Sequence, residues 1–428
     1  MVPARLRGLG AAFVVVACAG GLLALGPRAA APGAAPGGVS AFASPAGDPV
    51  ADARAATGMR PQDPSSWSQL ALAEIERARL TLDPADLAVA EQALGRSLVL
   101  RPDRNYEATV GHGQLANARH EFTRGAEYGR QAAAMAPDRS AGFAVLADAE
   151  IQLGDYPAAT AAAQRLLDLA PTVAAYTRAA YDLETHGRAE EAQLLLERGL
   201  ETAASPGEQA FCEHRLGDLA WESGRPAEAE THYRRALAAS PGDRNAEAAL
   251  ARAQAVQGEP DEAARRYRAL NERAPVPQFL LEEAELLLSL GRPADRPLTA
   301  LAAEARLLRA SGGPVDPYLG LYLADHGDPA TAVDLLRTEW AARHSVLVAD
   351  ALGWALHAAG DDREAIGYLR EAARTGWHSA LFDYHLGTVE HGLGLSEGRD
   401  HLRAALARNP HFSPLHAPRA AALLEGPR

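Results

Sequence analysis

The stretch Ser140–Pro171, SAGFAVLADAEIQLGDYPAATAAAQRLLDLAP, decides the fold. Phe143, Leu146 and Ala147 recur at helical spacing, Gly154-Asp155 interrupts the run, and an alanine-rich segment then continues to a stop at Pro171. A glycine between two helical runs ends the first in a left-handed or tight turn. Pro157 falls in the first turn of the second run, where a missing N–H has no intrahelical partner to lose. Pro171 closes it, because proline cannot continue a helix and the residue before it avoids the helical region. The stretch therefore predicts two helices joined by a short turn.

The same unit returns along the chain. A turn glycine recurs at Gly154, Gly187, Gly224, Gly258, Gly291, Gly327, Gly360 and Gly394, at intervals of 33, 37, 34, 33, 36, 33 and 34 residues. A period near 34 is a repeat array. Pro226, Pro260, Pro293 and Pro329 follow the turn as Pro157 does, while Pro102, Pro137, Pro241, Pro275 and Pro410 close second helices as Pro171 does. Small residues in the first helix (Ala147, Gly217, Gly320, Gly353, Gly387) face small residues in the second (Ala159, Ala229, Ala332, Ala365). These are the places where two helices cross and their backbones must approach. Leu146, Leu216, Leu250, Leu319, Leu352 and Leu386 fill the space beside them.

These residues resemble the tetratricopeptide repeat family. The clearest unit is Ala210–Asp243, with Leu216 and Gly217, turn Gly224, Ala229, Tyr233, Ala236 and Pro241 in the family's order. The resemblance extends over about ten units and implies an all-α fold of tandem helix-turn-helix repeats, stacked as a right-handed α-solenoid. The first unit, Pro64–Asn105, starts with Trp67 and Leu70 and carries an insertion at RLTLDPADL; the second, Tyr106–Arg139, has His120 at the turn. The seventh, near Pro277–Ala310, places Arg296-Pro297 where a small helical residue belongs, which predicts a kink or register break. The tenth is one residue short around LGLSEG. Ala417–Glu425 reads as a helix that caps the last repeat.

The organisation expected is an export signal or membrane anchor over 1–28, an Ala/Pro/Gly-rich flexible linker over 29–63, the array over 64–412, and the capping helix and tail over 413–428. Arg5 and Arg7 precede an uncharged run from Gly8 to Pro27, which has the form of an n-region and an h-region. Twenty residues also suffice to span a bilayer, so cleavage and retention both stay open. VVAC at Val15–Cys18 resembles a bacterial lipobox, although the apolar run continues past it through Leu22, Leu23 and Leu25. A downstream translation start would instead leave the array in the cytoplasm. Cys18 and Cys212 are the two cysteines; Cys212 sits in a helical pattern and reads as a small core residue.

Composition narrows the function. Hydrophobic residues make up 47% of the chain and aromatics 6%, which suits helices packed through Ala, Leu and Val. A net charge of -13, with no lysine anywhere, argues against nucleic-acid binding, which needs clustered cations. There is no nucleophile elbow, phosphate-binding loop or dinucleotide fingerprint, so no catalytic residue, cofactor or metal site is assigned. The family typically binds peptides or helices of partner proteins in a concave groove lined by the first helices, so the resemblance implies a scaffold with a protein partner; the missing catalytic motifs make it non-enzymatic, and the N-terminal segment places it outside the cytoplasm with a possible membrane tether. Helical phase puts Asn117, Tyr181, Phe211, His214, Asp218, Trp221, Trp354, His357, Tyr384 and His391 on that face as exposed peptide anchors. The alternative for Trp221 and Trp354 is packing between neighbouring units.

The family's carboxylate clamp is not expected here, because it needs lysines and asparagines on the first helices and only Asn117 is in phase. Arg252 could replace the charge but not the shape. Nine of the 14 histidines lie from His326 onward, including His378, His385, His391, His401, His411 and His416. They support an alternative, an accessory protein that binds a metal or small ligand through these side chains. No pair of them has a metal-binding helix motif such as H-E-x-x-H, and His385 and His391, six apart, do not share a face.

Overall fold

The computed structural model describes residues 48–426, which form 22 α-helices and no strand. The export segment expected over 1–28 and the lipobox-like Cys18 lie outside the described residues. No described helix is long and apolar enough to cross a membrane. A helix α1, Pro49–Met59, precedes the array. It corrects the expectation of a flexible linker up to residue 63, because Asp48 caps it, Pro49 opens it and Val50 is buried in the core shared with the first repeat.

Ten helix pairs follow: α2 Pro64–Thr81 with α3 Pro84–Leu100; α4 Tyr106–Ala118 with α5 Phe122–Met135; α6 Ala141–Leu153 with α7 Tyr156–Leu169; α8 Val173–Thr185 with α9 Ala189–Thr202; and α10 Pro206–Glu222 with α11 Pro226–Ala239. The second half continues with α12 Arg244–Val256 and α13 Pro260–Arg273; α14 Pro277–Ser289 and α15 Asp295–Ser311; α16 Pro317–His326 and α17 Pro329–Ala342; α18 Val346–Ala358 and α19 Asp362–Ala372; and α20 Ala380–Gly392 and α21 Glu397–Arg408. A final helix, α22 His416–Glu425, lies against α20 and α21.

Proline and glycine set the boundaries as their chemistry requires. Helices α3, α5, α7, α11, α13 and α21 each end two residues before a closing proline. The intervening residue is the C-cap, with φ between -136° and -156°, which is the extended backbone a following proline imposes. The insertion in the first unit is absorbed by two long helices of 18 and 17 residues. In the seventh unit the expected kink is absent: α15 starts at Asp295, so Pro297 falls in its first turn, where no hydrogen bond is lost, and the helix runs unbroken for 17 residues.

The helix crossings are as tight as the small residues predict. A Cβ on Gly217 would meet the Tyr233 ring at 2.5 Å, one on Gly320 would meet Leu336 at 2.6 Å, and one on Gly353 would meet Leu369 at 2.6 Å. In the tenth unit, Gly398 replaces the usual alanine and its carbonyl lies 2.9 Å from where a Cβ on Gly387 would stand.

The array coils until successive turns of the superhelix touch. Asn245 at the start of α12 donates to the Arg79 carbonyl in α2 (3.1 Å), His344 N donates to the Leu153 carbonyl (3.0 Å), and Val346 N donates to the Tyr156 hydroxyl (2.9 Å). Asn409 donates to the Trp221 carbonyl (2.8 Å). The partners are 166 to 191 residues apart, about five to five and a half repeats, so one superhelical turn uses about that many units. One apolar cluster correspondingly joins Ile75, Ala78 and Leu82 to Ala248, Ala251 and Phe279, and another joins Tyr156 and Tyr181 to Val346 and Phe382.

Candidate functional site

Because the turns of the coil touch, the face lined by the first helices is an interior. It bounds a cavity of about 530 Å³ walled from α2 through to α22. Nine aromatic rings line it, among them Phe211, Trp221, Phe279, Tyr318 and Phe412. Seven carboxylates and four guanidiniums line it too. Buried charges persist only when paired, and here the pairing follows the repeat.

Arg178 on α8 grips Asp148 on α6 with two hydrogen bonds, 2.9 and 2.7 Å. One unit further, Arg215 on α10 reaches Glu184 on α8 and also holds Asp218 at 2.7 Å. Asp218 in turn accepts from the Tyr233 hydroxyl at 2.9 Å. Arg252 on α12 lies over the Trp221 ring, 4.7 Å from its centroid, with Asp218 at 3.9 Å and Glu282 of α14 at 3.6 Å. Tyr267 donates to Glu282 at 2.8 Å. Side chains roughly one repeat apart in sequence thus stitch adjacent first helices together along the inner wall. Bidentate Arg–carboxylate geometry suits this task because the planar fork fixes both partners.

Burial acts against these charges. It pushes Asp148 up to about 6 in spite of Arg178. It pushes Glu222, at the end of α10, up to about 7 against the opposing pull of Arg252 and Arg408. Asp316 also rises to about 7 through burial, while its carboxylate caps α16 by accepting from Tyr318 N at 2.7 Å. Burial lifts the Cys212 thiol to about 12, so it stays protonated, as a core side chain does.

The ten residues expected as groove anchors divide into three sets. Asn117, Phe211, His214, Asp218 and Trp221 line the cavity. Asn117 donates to the Val145 carbonyl, Phe211 lies under Arg79, and His214 stacks edge-on against Tyr233. Their exposed setting is corrected: Phe211 keeps 5% and Trp221 3% of its surface. Phe211 packs with Val173 and Ala174 of the preceding unit, and Trp221 packs with Ala249, Leu250 and Arg252 of the following one, the alternative of packing between neighbouring units. Tyr181, Trp354 and Tyr384 are buried between elements. Tyr181 meets Trp377 edge-on; Trp354 stacks on His385 at 4.2 Å and also touches Tyr384, which reaches α22. The third set stands at helix ends: His357 bonds Asp362 at 2.6 Å, and His391 is half-buried at the close of α20.

Residue type does not single out the inner-wall charges Asp148, Glu184, Arg215, Glu222 and Glu282, although Glu184 lies three residues from Tyr181 and Arg215 and Glu222 three and four from Asp218, on the same helix faces. One signal for part of them exists in the sequence. Opposite charges 30 and 31 residues apart, Asp148 to Arg178 and Glu184 to Arg215, sit one turn short of the repeat period.

An all-α array of paired helices with charges inside defines a repeat scaffold. Residues 220–281 match the tetratricopeptide repeat family model, and the helix pairs on either side continue the same all-α repeat architecture. No curated protein matches it in sequence. Among solved structures it is similar to TTC0263, a thermophilic TPR protein of Thermus thermophilus (18% identity over 43% of this chain and 98% of that one, TM-score 0.37). It is also similar to the APC/C hetero-tetramer Cut9-Hcn1 (14%, 88% and 92%, 0.40) and to the human IFIT1 dimer with PPP-AAAA (15%, 73% and 73%, 0.48). At these identities and scores the likenesses say nothing of what this chain binds. Tetratricopeptide repeats in general mediate protein–protein interaction without catalysis.

Proposed function

We propose that the chain is a non-enzymatic interaction scaffold that takes a segment of a partner protein into the space enclosed by its first helices. The observation that carries this reading is the cavity itself, of a size that holds a few side chains, apolar in its rings and rich in fixed charge. Its seven carboxylates outnumber its four guanidiniums, so the favoured segment carries a lysine or arginine beside apolar residues. Glu222 and Glu282, which line the cavity, supply the opposing charge.

A random peptide library presented to the full chain tests this. Selected peptides are expected to be enriched in a basic residue flanked by apolar ones. Replacing Glu222 and Glu282 together by Gln is expected to weaken a selected peptide about tenfold, roughly 1.4 kcal/mol. Selection of acidic peptides, or an affinity indifferent to the double replacement, would overturn it.

The reading places the scaffold outside the cytoplasm, with the uncharged run behind Arg5 and Arg7 as export signal or tether. Fractionation of carboxy-terminally tagged cells, with the mass of the mature amino terminus, distinguishes a cleaved, retained or acylated segment from a cytoplasmic chain.

A further inference from the structure

Where the cavity wall meets the capping helix, three ligand-type atoms from distant parts of the chain converge. They are Glu285 Oε1 on α14, Asp325 Oδ2 near the end of α16, and His416 Nε2 at the start of α22, all within 4.8 Å of one another. His416 Nε2 stands 3.2 Å from Asp325 Oδ2 and 4.0 Å from Glu285 Oε1. A fourth atom, His326 Nε2, is buried without a hydrogen-bond partner 3.9 Å from the same Glu285 oxygen.

The remaining atom of each of the three side chains is already engaged. Trp354 Nε1 donates to Asp325 Oδ1 at 3.0 Å, Ser413 Oγ donates to Glu285 Oε2 at 3.2 Å, and His416 Nδ1 meets the Tyr384 hydroxyl at 3.2 Å. Outer partners of this kind orient metal-binding histidines and carboxylates. What is left facing inward is two carboxylate oxygens and two imidazole nitrogens. His416 Nε2 is within hydrogen-bond length of Asp325 Oδ2 only, while Glu285 Oε1 stands 3.9 Å from His326 Nε2 and 4.0 Å from His416 Nε2, too long for a hydrogen bond. A single proton on His416 cannot satisfy both carboxylates. A cation with bonds of about 2.0–2.2 Å holds its ligand atoms roughly 3–4 Å apart, the range in which His416 Nε2 stands from Asp325 Oδ2 and from Glu285 Oε1.

We propose that Glu285, Asp325 and His416, with His326 as a fourth ligand, form a binding site for a divalent transition cation of the zinc class. Mixed imidazole and carboxylate donors favour such ions over calcium or magnesium, which take oxygen alone. The site joins the seventh and eighth repeats to the capping helix, so the bound ion fastens the end of the array to its middle. Glu285 and Asp325 also line the cavity of the peptide reading, but the test uses the metal alone, so the two readings fail separately.

Titration calorimetry of the untagged full chain, stripped with chelator, tests it with Zn²⁺ and Ca²⁺ as probes. One equivalent of Zn²⁺ is expected to bind and to raise the melting temperature, with Ca²⁺ at the same concentrations producing neither effect. His416→Gln and Asp325→Asn are each expected to weaken Zn²⁺ at least tenfold, and Trp354→Phe, which only removes the donor behind Asp325, by roughly tenfold. Far-ultraviolet circular dichroism confirms that each variant is folded, and His326→Gln serves if another is not. His378→Gln and His401→Gln, outside the cluster, are expected to bind as the parent does. Absence of Zn²⁺ binding, tight Ca²⁺ binding, or Zn²⁺ binding untouched by the cluster variants would overturn the site.

Discussion

Glu222 shows how much a single inward side chain on this array carries. Burial lifts it to about 7 in the folded chain, above the ordinary glutamate value of 4.5. The native state therefore binds this proton more readily than the unfolded state. Its contribution to stability is greatest below the unfolded value and is lost as pH rises through 7. Asp148 and Asp316, lifted to about 6 and about 7, act in the same direction. Urea unfolding between pH 5 and 8 is expected to show stability falling with pH, less steeply in Glu222→Gln. A slope unchanged by that replacement would show that Glu222 does not titrate in this range. None of this follows from residue type, because a glutamate at the end of an amphipathic helix is ordinarily solvated.

At the scale of the helix pair, the sequence is most legible. The turn glycines, the leucines and the small crossing residues all depend on neighbours within one unit, and short-range spacing is visible in a linear text. Gly217→Ala is expected to cost about 1–3 kcal/mol, since its Cβ would sit 2.5 Å from the Tyr233 ring. Gly95→Ala, in the body of α3 with nothing near the added carbon, is expected instead to stabilise by about 0.5–1 kcal/mol through helix propensity. Denaturation midpoints of the two variants should move in opposite directions. The seventh unit shows the limit of local spacing: Arg296-Pro297 suggests a kink only while the helix start is assumed from the repeat, and a start at Asp295 removes the conflict. The groove is legible in phase but not in setting. Asn117, Phe211, His214, Asp218 and Trp221 do face inward, whereas Trp354 and Tyr384, in similar phase, are taken up by the capping region.

Across the whole molecule, contact between superhelical turns changes what a turn glycine is for. Gly154 has φ 84°, and a Cβ there would meet the His344 carbonyl oxygen at 2.2 Å; Gly187 faces Gly376 and Gly224 faces Arg408 in the same manner. Gly258, at φ 92°, has nothing within 4 Å. Both glycines need the left-handed backbone, so alanine at either is expected to cost about 1–2 kcal/mol. Gly154→Ala must in addition push two turns of the coil apart and is expected to lose more, by chemical denaturation, than Gly258→Ala. Equal losses would mean that the turns are not held in contact in solution.

By itself the sequence determined the repeat: its period of about 34 residues, most of its helix boundaries, its crossing residues and the face that turns inward. All of these follow from interactions over three or four residues, or between two helices joined by a short turn. Tertiary structure alone decided how tightly the array coils, and with it whether the inward face is an open groove or a cavity walled by successive turns. Small rotations between neighbouring units accumulate over about five repeats, and the result is held by pairs such as Asn245 with Arg79 and Asn409 with Trp221, 166 and 188 residues apart. Glu285, Asp325 and His416 are brought together in the same way, by coiling that no local pattern records.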